Sequence, residues 1–349
     1  MVTRRQLLAS LPLVAAWKDG RAAESAPERI DSHLHIHRPA LALFAALETA
    51  EWRCLSVCVS SAIGDEPSTI GDLMAKTAEV YRAAKGRVAW ASSFDARGLE
   101  ERDFASRVTA SLAQTFDQGA IAVKIWKNIG MGIRSKSGEY VLPDNAAFTP
   151  VFEAIQKAGR TVIAHIAEPD GAWQPLDSSN SETGYYGSHP EWHMYGRPGI
   201  PSKEQILAAR DRFLARHPKL RVVGCHLGSD EEHLDRLAKR LDSFPNFAVD
   251  VAARVRYLVR GDHERAREFL LKYQDRVLYA TDFTLASGDD ARAAASLQRT
   301  HDQDWNFFAT ANAIQYRDRT YTGLNLPEGV VRKIFHGNAV RWFPGLIRQ

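Results

Sequence analysis

Eight short runs rich in apolar and β-forming residues recur along the chain, at 29–35, 53–60, 87–94, 120–126, 160–167, 220–227, 246–252 and 276–282. Longer stretches with helical spacing lie between most of them, at 68–85, 101–118, 146–157, 203–217, 231–244 and 263–273. Several of these end on a Gly or Pro (Gly86, Gly119, Gly159, Pro218, Pro245), as helices should. Strands alternating with helices require crossover connections and hence a parallel sheet. Eight such strands favour an α/β chain closed into a (β/α)8 TIM barrel over an open doubly wound sheet. Its expected extent is a single domain over residues 28–346, an ordinary size for such a barrel.

The N-terminus reads differently. Thr3-Arg4-Arg5-Gln6-Leu7-Leu8 leads into an apolar run reaching Trp17, then into Lys18-Asp19-Gly20-Arg21. A basic start, a short apolar stretch and small residues before the fold describe a signal peptide over residues 1–23, with cleavage close after Ala22. The run is too short for a permanent membrane span. The paired arginines resemble the twin-arginine export signal, which implies a periplasmic location. The plainer alternative is a frayed helix of a cytoplasmic chain. Removing the signal takes the formal net charge from +3 to about zero. The basic excess therefore gives no support for a nucleic-acid partner, and nothing points to a membrane once the signal is gone. Cys54 and Cys58 share a strand face roughly 10 Å or more apart by strand rise, so they cannot bridge. Alternation points Cys225 away from the face of His226, and all three cysteines read as buried packing residues.

The chemistry sits at the strand ends. Ile30-Asp31-Ser32-His33-Leu34-His35 closes the first strand with two imidazoles that period-two alternation places on one face. His165 closes the fifth strand, His226 the sixth and Asp282 the eighth. Any one of these taken singly is more often a satisfied core residue. Five metal-capable groups on four strands, all ending at one barrel mouth, instead predict a metal site. Imidazoles with one carboxylate suit Zn2+ best, with Mn2+, Fe2+ or Co2+ as alternatives. Such a site ionises water at about pH 7. Asp282 is then both a ligand and the proton acceptor, and His226 polarises a carbonyl or serves as a second acid.

These residues, in this order, resemble the amidohydrolase superfamily. The closing segment Ile334-Phe335-His336-Gly337-Asn338-Ala339-Val340-Arg341-Trp342-Phe343 resembles the C-terminal signature of its family-2 branch. That branch includes aminocarboxymuconate-semialdehyde decarboxylase-like enzymes and lactonases. The resemblance covers roughly residues 29–343. It implies a barrel of the metal-dependent hydrolase type in which His33, His35, His165 and Asp282 bind one divalent ion and His226 faces the substrate.

Around this set, Lys124 points into the barrel with Ala122 and Trp126, while Lys127 falls on the other parity and should be solvated. A buried lysine needs a partner or a depressed pKa. Lys124 is read as a substrate-carboxylate group or one that supports the ligands from behind, against a carbamate bridging two metals or a plain ion pair. Glu168 orients a ligand, binds substrate or forms a loop ion pair. Arg254, more than Arg256, is placed to meet an anionic substrate, with a helix-start salt bridge as the alternative. His37 should lie just behind the ligands, and His189 and His193 either reach the mouth or line the surface. The segment 168–202 has no clean periodicity and crowds Trp173, Tyr185, Tyr186, Trp192, His193 and Tyr195 together. Long loops within compact domains are usually functional. This one is read as a lid or substrate wall, with Trp173 among its binding residues, and alternatively as an oligomer contact.

The expected function is hydrolysis of a carbonyl bond in a small carboxylate, lactone or ester. The alternatives are non-oxidative decarboxylation of an aromatic or enoic acid, and a non-catalytic metal- or ligand-binding barrel. The expected partner is a small-molecule substrate, and a homo-oligomer is the default assembly for a barrel of this type.

Overall fold

The computed structural model describes residues 28–285, 288–316 and 319–347. The export signal expected over residues 1–23 lies outside them. Nine strands form one parallel sheet: β1 (Arg29–His35), β2 (Trp52–Val57), β3 (Val88–Ser93), β4 (Ala122–Ile125), β5 (Thr161–Ala164), β6 (Val222–Gly224), β7 (Phe247–Asp250), β8 (Val277–Leu278) and β9 (Phe283–Thr284). Their order is β8-β7-β6-β5-β4-β3-β2-β1-β9. The strands β8 and β9 are two ends of one interrupted stave, and that stave closes the barrel against β1. The closing hydrogen bonds run from Ser32 N to Tyr279 O (3.1 Å), Asp282 N to His33 O (2.9 Å) and Leu285 N to His35 O (2.9 Å). Eight staves in chain order make the expected TIM barrel.

The interior is filled from the bottom by Ile30, Leu55, Val57, Ala89, Ala91, Ala122, Ile163, Val223, Ala248 and Leu278. Trp342, Phe343 and Leu346 of the C-terminal segment belong to the same cluster. Val123, Ile125, Val162 and Val222 pack outward on the helices. One departure from strict alternation matters. On β1, Asp31 pairs with Cys54 and Leu34 with Ser56, so three steps of β1 face two of β2. This bulge switches parity. Ile30 fills the barrel floor, whereas Leu34 and Ile36 join the outer core. His33 and His35 can therefore both look inward above Ile30.

The outer helices follow the expected periodicity closely: Ile70–Ala83, Phe104–Asp117, Thr149–Lys157, Lys203–Arg216, Leu234–Ser243 and His263–Lys272. The helix Lys203–Arg216 starts on a capping box in which Ser202 Oγ accepts from Gln205 N (3.2 Å) and the Gln205 side chain accepts from Ser202 N (2.8 Å). After Phe104–Asp117 the chain turns at Gly119 with φ +99°, where a Cβ would meet Tyr81. Helices Leu41–Thr49 and Asp290–Ala309 and the hairpin Ala313–Tyr316 with Arg319–Thr322 add to that scheme. Leu41–Thr49 carries apolar residues all round, so its helical period has little contrast to read. The segment 168–202 is built of short turns, Asp170–Trp173, Thr183–Ser188 and Pro190–Trp192, folded over the mouth beside β5. Among the described residues no helix is long and apolar enough to cross a membrane.

Candidate metal centre

The carboxyl ends of the strands enclose a cavity of about 540 Å³ lined by His33, His35, Lys124, Trp126, Lys127, His165, Glu168, Tyr185, His226, Arg254, Arg256 and Asp282, among others. Three of the imidazoles are oriented from behind. His35 Nδ1 lies 2.9 Å from Val57 O, and His226 Nδ1 lies 2.8 Å from Ala252 O. Carbonyl oxygens only accept, so in both rings Nδ1 carries a proton, and in the neutral ring Nε2 then keeps its lone pair. His33 Nδ1 donates to Asp250 Oδ2 (3.0 Å), which likewise leaves its Nε2 lone pair facing the cavity. Asp250, at the end of β7, also accepts from His226 N (2.7 Å) and Ala252 N (3.1 Å) through Oδ1. One carboxylate thus fixes His33 on β1 and the turn after β6 that carries His226.

Asp282 completes the tightest group. Its Oδ1 is 3.2 Å from His35 Nε2 and 3.5 Å from His33 Nε2. These are acceptors facing acceptors, which is unfavourable unless a proton or a cation is shared between them. The residues therefore fit a bound divalent ion: the donor atoms of His33, His35 and Asp282 lie within 4.8 Å of one another, two imidazole nitrogens and one carboxylate. Burial alone would raise the Asp282 carboxyl. With a proton shared with His35 Nε2, that hydrogen bond and the surrounding imidazoles outweigh it and hold the group well below the usual carboxylate range. Burial, reinforced by the neighbouring Lys124 ammonium, pushes the His33 imidazole down, and burial pushes that of His165 down to about 4.

His165 stands slightly apart. Its ring is 4.3 Å from that of His226, and its Nε2 is a buried atom without a hydrogen bond, 3.3 Å from Glu168 Oε1. An orphaned buried nitrogen facing the cavity suits a ligand as well. His226 and Asp282 both have left-handed backbones, φ +60° and +66°. Such strain costs about 1 kcal/mol or more per residue and concentrates at functional sites.

The structure alters several sequence expectations. Lys127 is buried, not solvated: its Nζ donates to Glu168 Oε1 (2.5 Å) and Tyr185 Oη (3.1 Å) and lies 4.5 Å from the Trp192 ring centre. The strand ends at Ile125, so alternation no longer governs the next turn. Cys225 does not point away from the site. Its Sγ accepts from Lys124 Nζ (2.8 Å), because β6 ends at Gly224 and the left-handed turn from His226 brings both side chains inward. Trp173 does not line the cavity. Its Nε1 donates to Pro201 O within the 168–202 segment, and Trp126 and Tyr185 supply the aromatic wall instead.

Lys124 lies on the cavity floor with Nζ 3.2 Å from His33 Nε2. Glu168 is buried and accepts from Lys127 and from Tyr186 Oη (3.1 Å). Burial would raise its carboxyl, but Lys127 and His165 hold it well below the usual range. Arg254 is buried at the cavity edge, with Nε 3.3 Å from Glu231 Oε1 but without hydrogen-bond alignment. Arg256 is committed to Glu182 (2.9 Å). His37 turns away to Thr77 (2.8 Å), and His189 and His193 bond within the 168–202 segment. The functional neighbours that the sequence reading missed are Asp250 and Lys127. A strand-end parity count over β7 could have flagged Asp250; nothing local marks Lys127.

A closed parallel barrel with imidazoles and a carboxylate gathered at the carboxyl ends of its strands defines the metal-dependent barrel enzymes. The Amidohydro_2 family model, described as amidohydrolase, matches residues 30–345, and the chain belongs to that family. No curated protein sequence matches it. Among solved structures, 2,6-dihydroxybenzoate decarboxylase from Rhizobium is similar at a TM-score of 0.52 and 14% identity, over 90% of this chain and 98% of that one. A protein from Staphylococcus aureus described as an amidohydrolase is similar at a TM-score of 0.54 and 13% identity, over 90% of this chain and 99% of that one. At these identities the likeness is one of fold.

Proposed function

We propose that this chain is a divalent-metal-dependent hydrolase that opens the carbonyl bond of a small carboxylate-bearing lactone or ester. The observation carrying this reading is the Asp282 carboxylate, 3.2 Å from His35 Nε2 with its side chain still 30% exposed. It faces the candidate ligands and water at once. A divalent ion held by His33, His35, His165 and Asp282, with Zn2+ the best match to the donors, would polarise a carbonyl and lower the pKa of water to about 7. Asp282 accepts the proton of the attacking water. His226 presents a lone pair rather than a proton, so its part is to accept a hydrogen bond from the substrate or water, not to polarise the carbonyl. Arg254 and Lys124 bind the substrate carboxylate, and Trp126 and Tyr185 flank it.

A second reading, decarboxylation of a flat aromatic acid, is favoured by Arg254 and Trp126 lining one cavity. Turnover of lactones, esters and aromatic acids in H2-18O separates the two. A hydrolase places 18O in the product acid. Release of CO2 with no solvent oxygen retained in the organic product would replace hydrolysis with the second reading. Export through the twin-arginine signal is part of the same proposal, and recovery of the chain from the periplasmic fraction tests it.

A further inference from the structure

Behind the metal centre, on the outer side of the barrel wall, a charged group is buried where no substrate can reach it. Asp31 on β1 is fully buried. Its Oδ1 accepts from the backbone N–H of Thr281 (3.1 Å) and more distantly from that of His33 (3.3 Å). Its Oδ2 accepts from Thr281 Oγ1 (2.7 Å) and His301 Nε2 (3.0 Å). His301 comes from the helix Asp290–Ala309 and is itself fixed by stacking on Trp52, with ring centres 3.7 Å apart and planes 18° apart.

The positions gripped are informative. Thr281 immediately precedes Asp282, and His33 is a candidate ligand itself. One carboxylate therefore holds the backbones of β1 and of the eighth stave at the point where each presents its donors. Both backbones are irregular there: β1 is bulged between Asp31 and Leu34, and Asp282 has φ +66°. One backbone bond, Asp282 N to His33 O (2.9 Å), spans the seam there, and Asp31 adds side-chain bonds to both irregular segments. A buried carboxylate is tolerated only when its oxygens are filled with donors, and here those donors come from both sides of the seam.

We propose that Asp31, held in place by His301, is a positioning residue that sets the separation between His33 and His35 on one stave and Asp282 on the other, and so sets metal affinity. This rests on the metal-centre reading above. The test is Co2+ binding, measured by chelator competition and by the visible absorption of the bound ion, on Asp31→Asn, His301→Gln, Thr281→Val and Thr281→Ser. Partners behind metal ligands typically contribute 10- to 100-fold in affinity. Asp31→Asn should lose about that much and shift the Co2+ absorption. His301→Gln and Thr281→Val should lose less in the same direction, and Thr281→Ser, which keeps the hydroxyl, should restore native binding. Asp304→Asn should leave Co2+ affinity unchanged, since Asp304 bonds to Tyr279 in the same buried region (3.0 Å). If Asp31→Asn does not fold, Thr281→Val against Thr281→Ser carries the comparison. Native affinity and spectrum in the variants, whatever their melting temperatures, would overturn the proposal and leave the metal centre standing. A wild-type chain that binds no Co2+ would overturn both.

Discussion

His33 Nδ1 and Asp250 Oδ2 lie 3.0 Å apart, both buried, and this one bond decides which nitrogen of His33 faces the cavity. A carboxylate can only accept, so the ring proton stays at Nδ1 and the Nε2 lone pair points into the cavity, where a metal ion would replace the Lys124 Nζ contact (3.2 Å). Asp250→Asn keeps the size but can turn an amide N–H toward Nδ1, which favours the opposite tautomer. Metal affinity should fall about 10- to 100-fold with a small change in melting temperature, as read by chelator competition beside thermal denaturation. Unchanged affinity would remove Asp250 from the centre.

Purified wild-type chain should carry about one equivalent of divalent metal, and a His33→Ala/His35→Ala variant close to none. Elemental analysis of both proteins checks this. About two equivalents would point instead to a carbamylated Lys124, and no metal in the wild type after incubation with Zn2+ or Mn2+ would remove the proposed chemistry.

Arg254→Lys should raise KM for carboxylate-bearing substrates about 10- to 100-fold, the worth of a charge-assisted hydrogen bond, and change kcat less. Lysine keeps the charge opposite Glu231, so the effect reports on the planar guanidinium. Steady-state kinetics on a substrate and its uncharged analogue provide the check, and an equal loss on both would argue against a carboxylate contact.

Lys127→Met strands the Glu168 carboxylate in a buried site and should cost about 3–5 kcal/mol. Converting Glu168 to Gln in the same chain should recover most of that loss. Urea denaturation of the single and double variants measures both, and a loss equal in the two would mean that packing around Trp126 and Trp192, not charge, dominates.

Asp304 sets a pH dependence outside the metal centre. Burial pushes its carboxyl up to about 7 from a usual value of 3.8, partly offset by the Tyr279 hydrogen bond and reinforced by the nearby Asp31 charge. Between those values the folded chain holds a proton that the unfolded chain releases. The stability it contributes is therefore complete below about pH 4 and lost as pH rises to about 7. Asp304→Asn, which still offers Tyr279 an acceptor, should gain stability relative to wild type across that window, with the difference level above it. Denaturation curves at several pH values would show a constant difference if Asp304 did not titrate there.

The staves were legible because their signal is local. Alternation and β-branching mark β1 to β7 within two to three residues of their observed ends, and chain order then leaves little choice of topology. The histidines could be read for the same reason: His33 and His35 are two apart on one strand, and His165 and His226 follow apolar runs directly. Alternation failed where strands end. Period two misplaces Lys127 and Cys225 because β4 stops at Ile125 and β6 at Gly224, after which backbone turns aim the side chains. Aromatic density groups Trp173 with the site, but its indole donates to Pro201 O instead.

The sequence by itself therefore determined the barrel, the strands that carry donors and the chemical kind of those donors, since each follows from residue type and short-range spacing. Tertiary structure alone decided what those donors can do. Asp250 on β7 sets the tautomer of His33 from two staves away, and Val57 on β2 sets that of His35 from the neighbouring stave. A bulge reverses the parity of β1. Lys127 is buried by Glu168 and Tyr185, residues far along the chain. These are contacts between distant segments at low dielectric, where one hydrogen bond selects a protonation state, and no local pattern encodes which segments will meet.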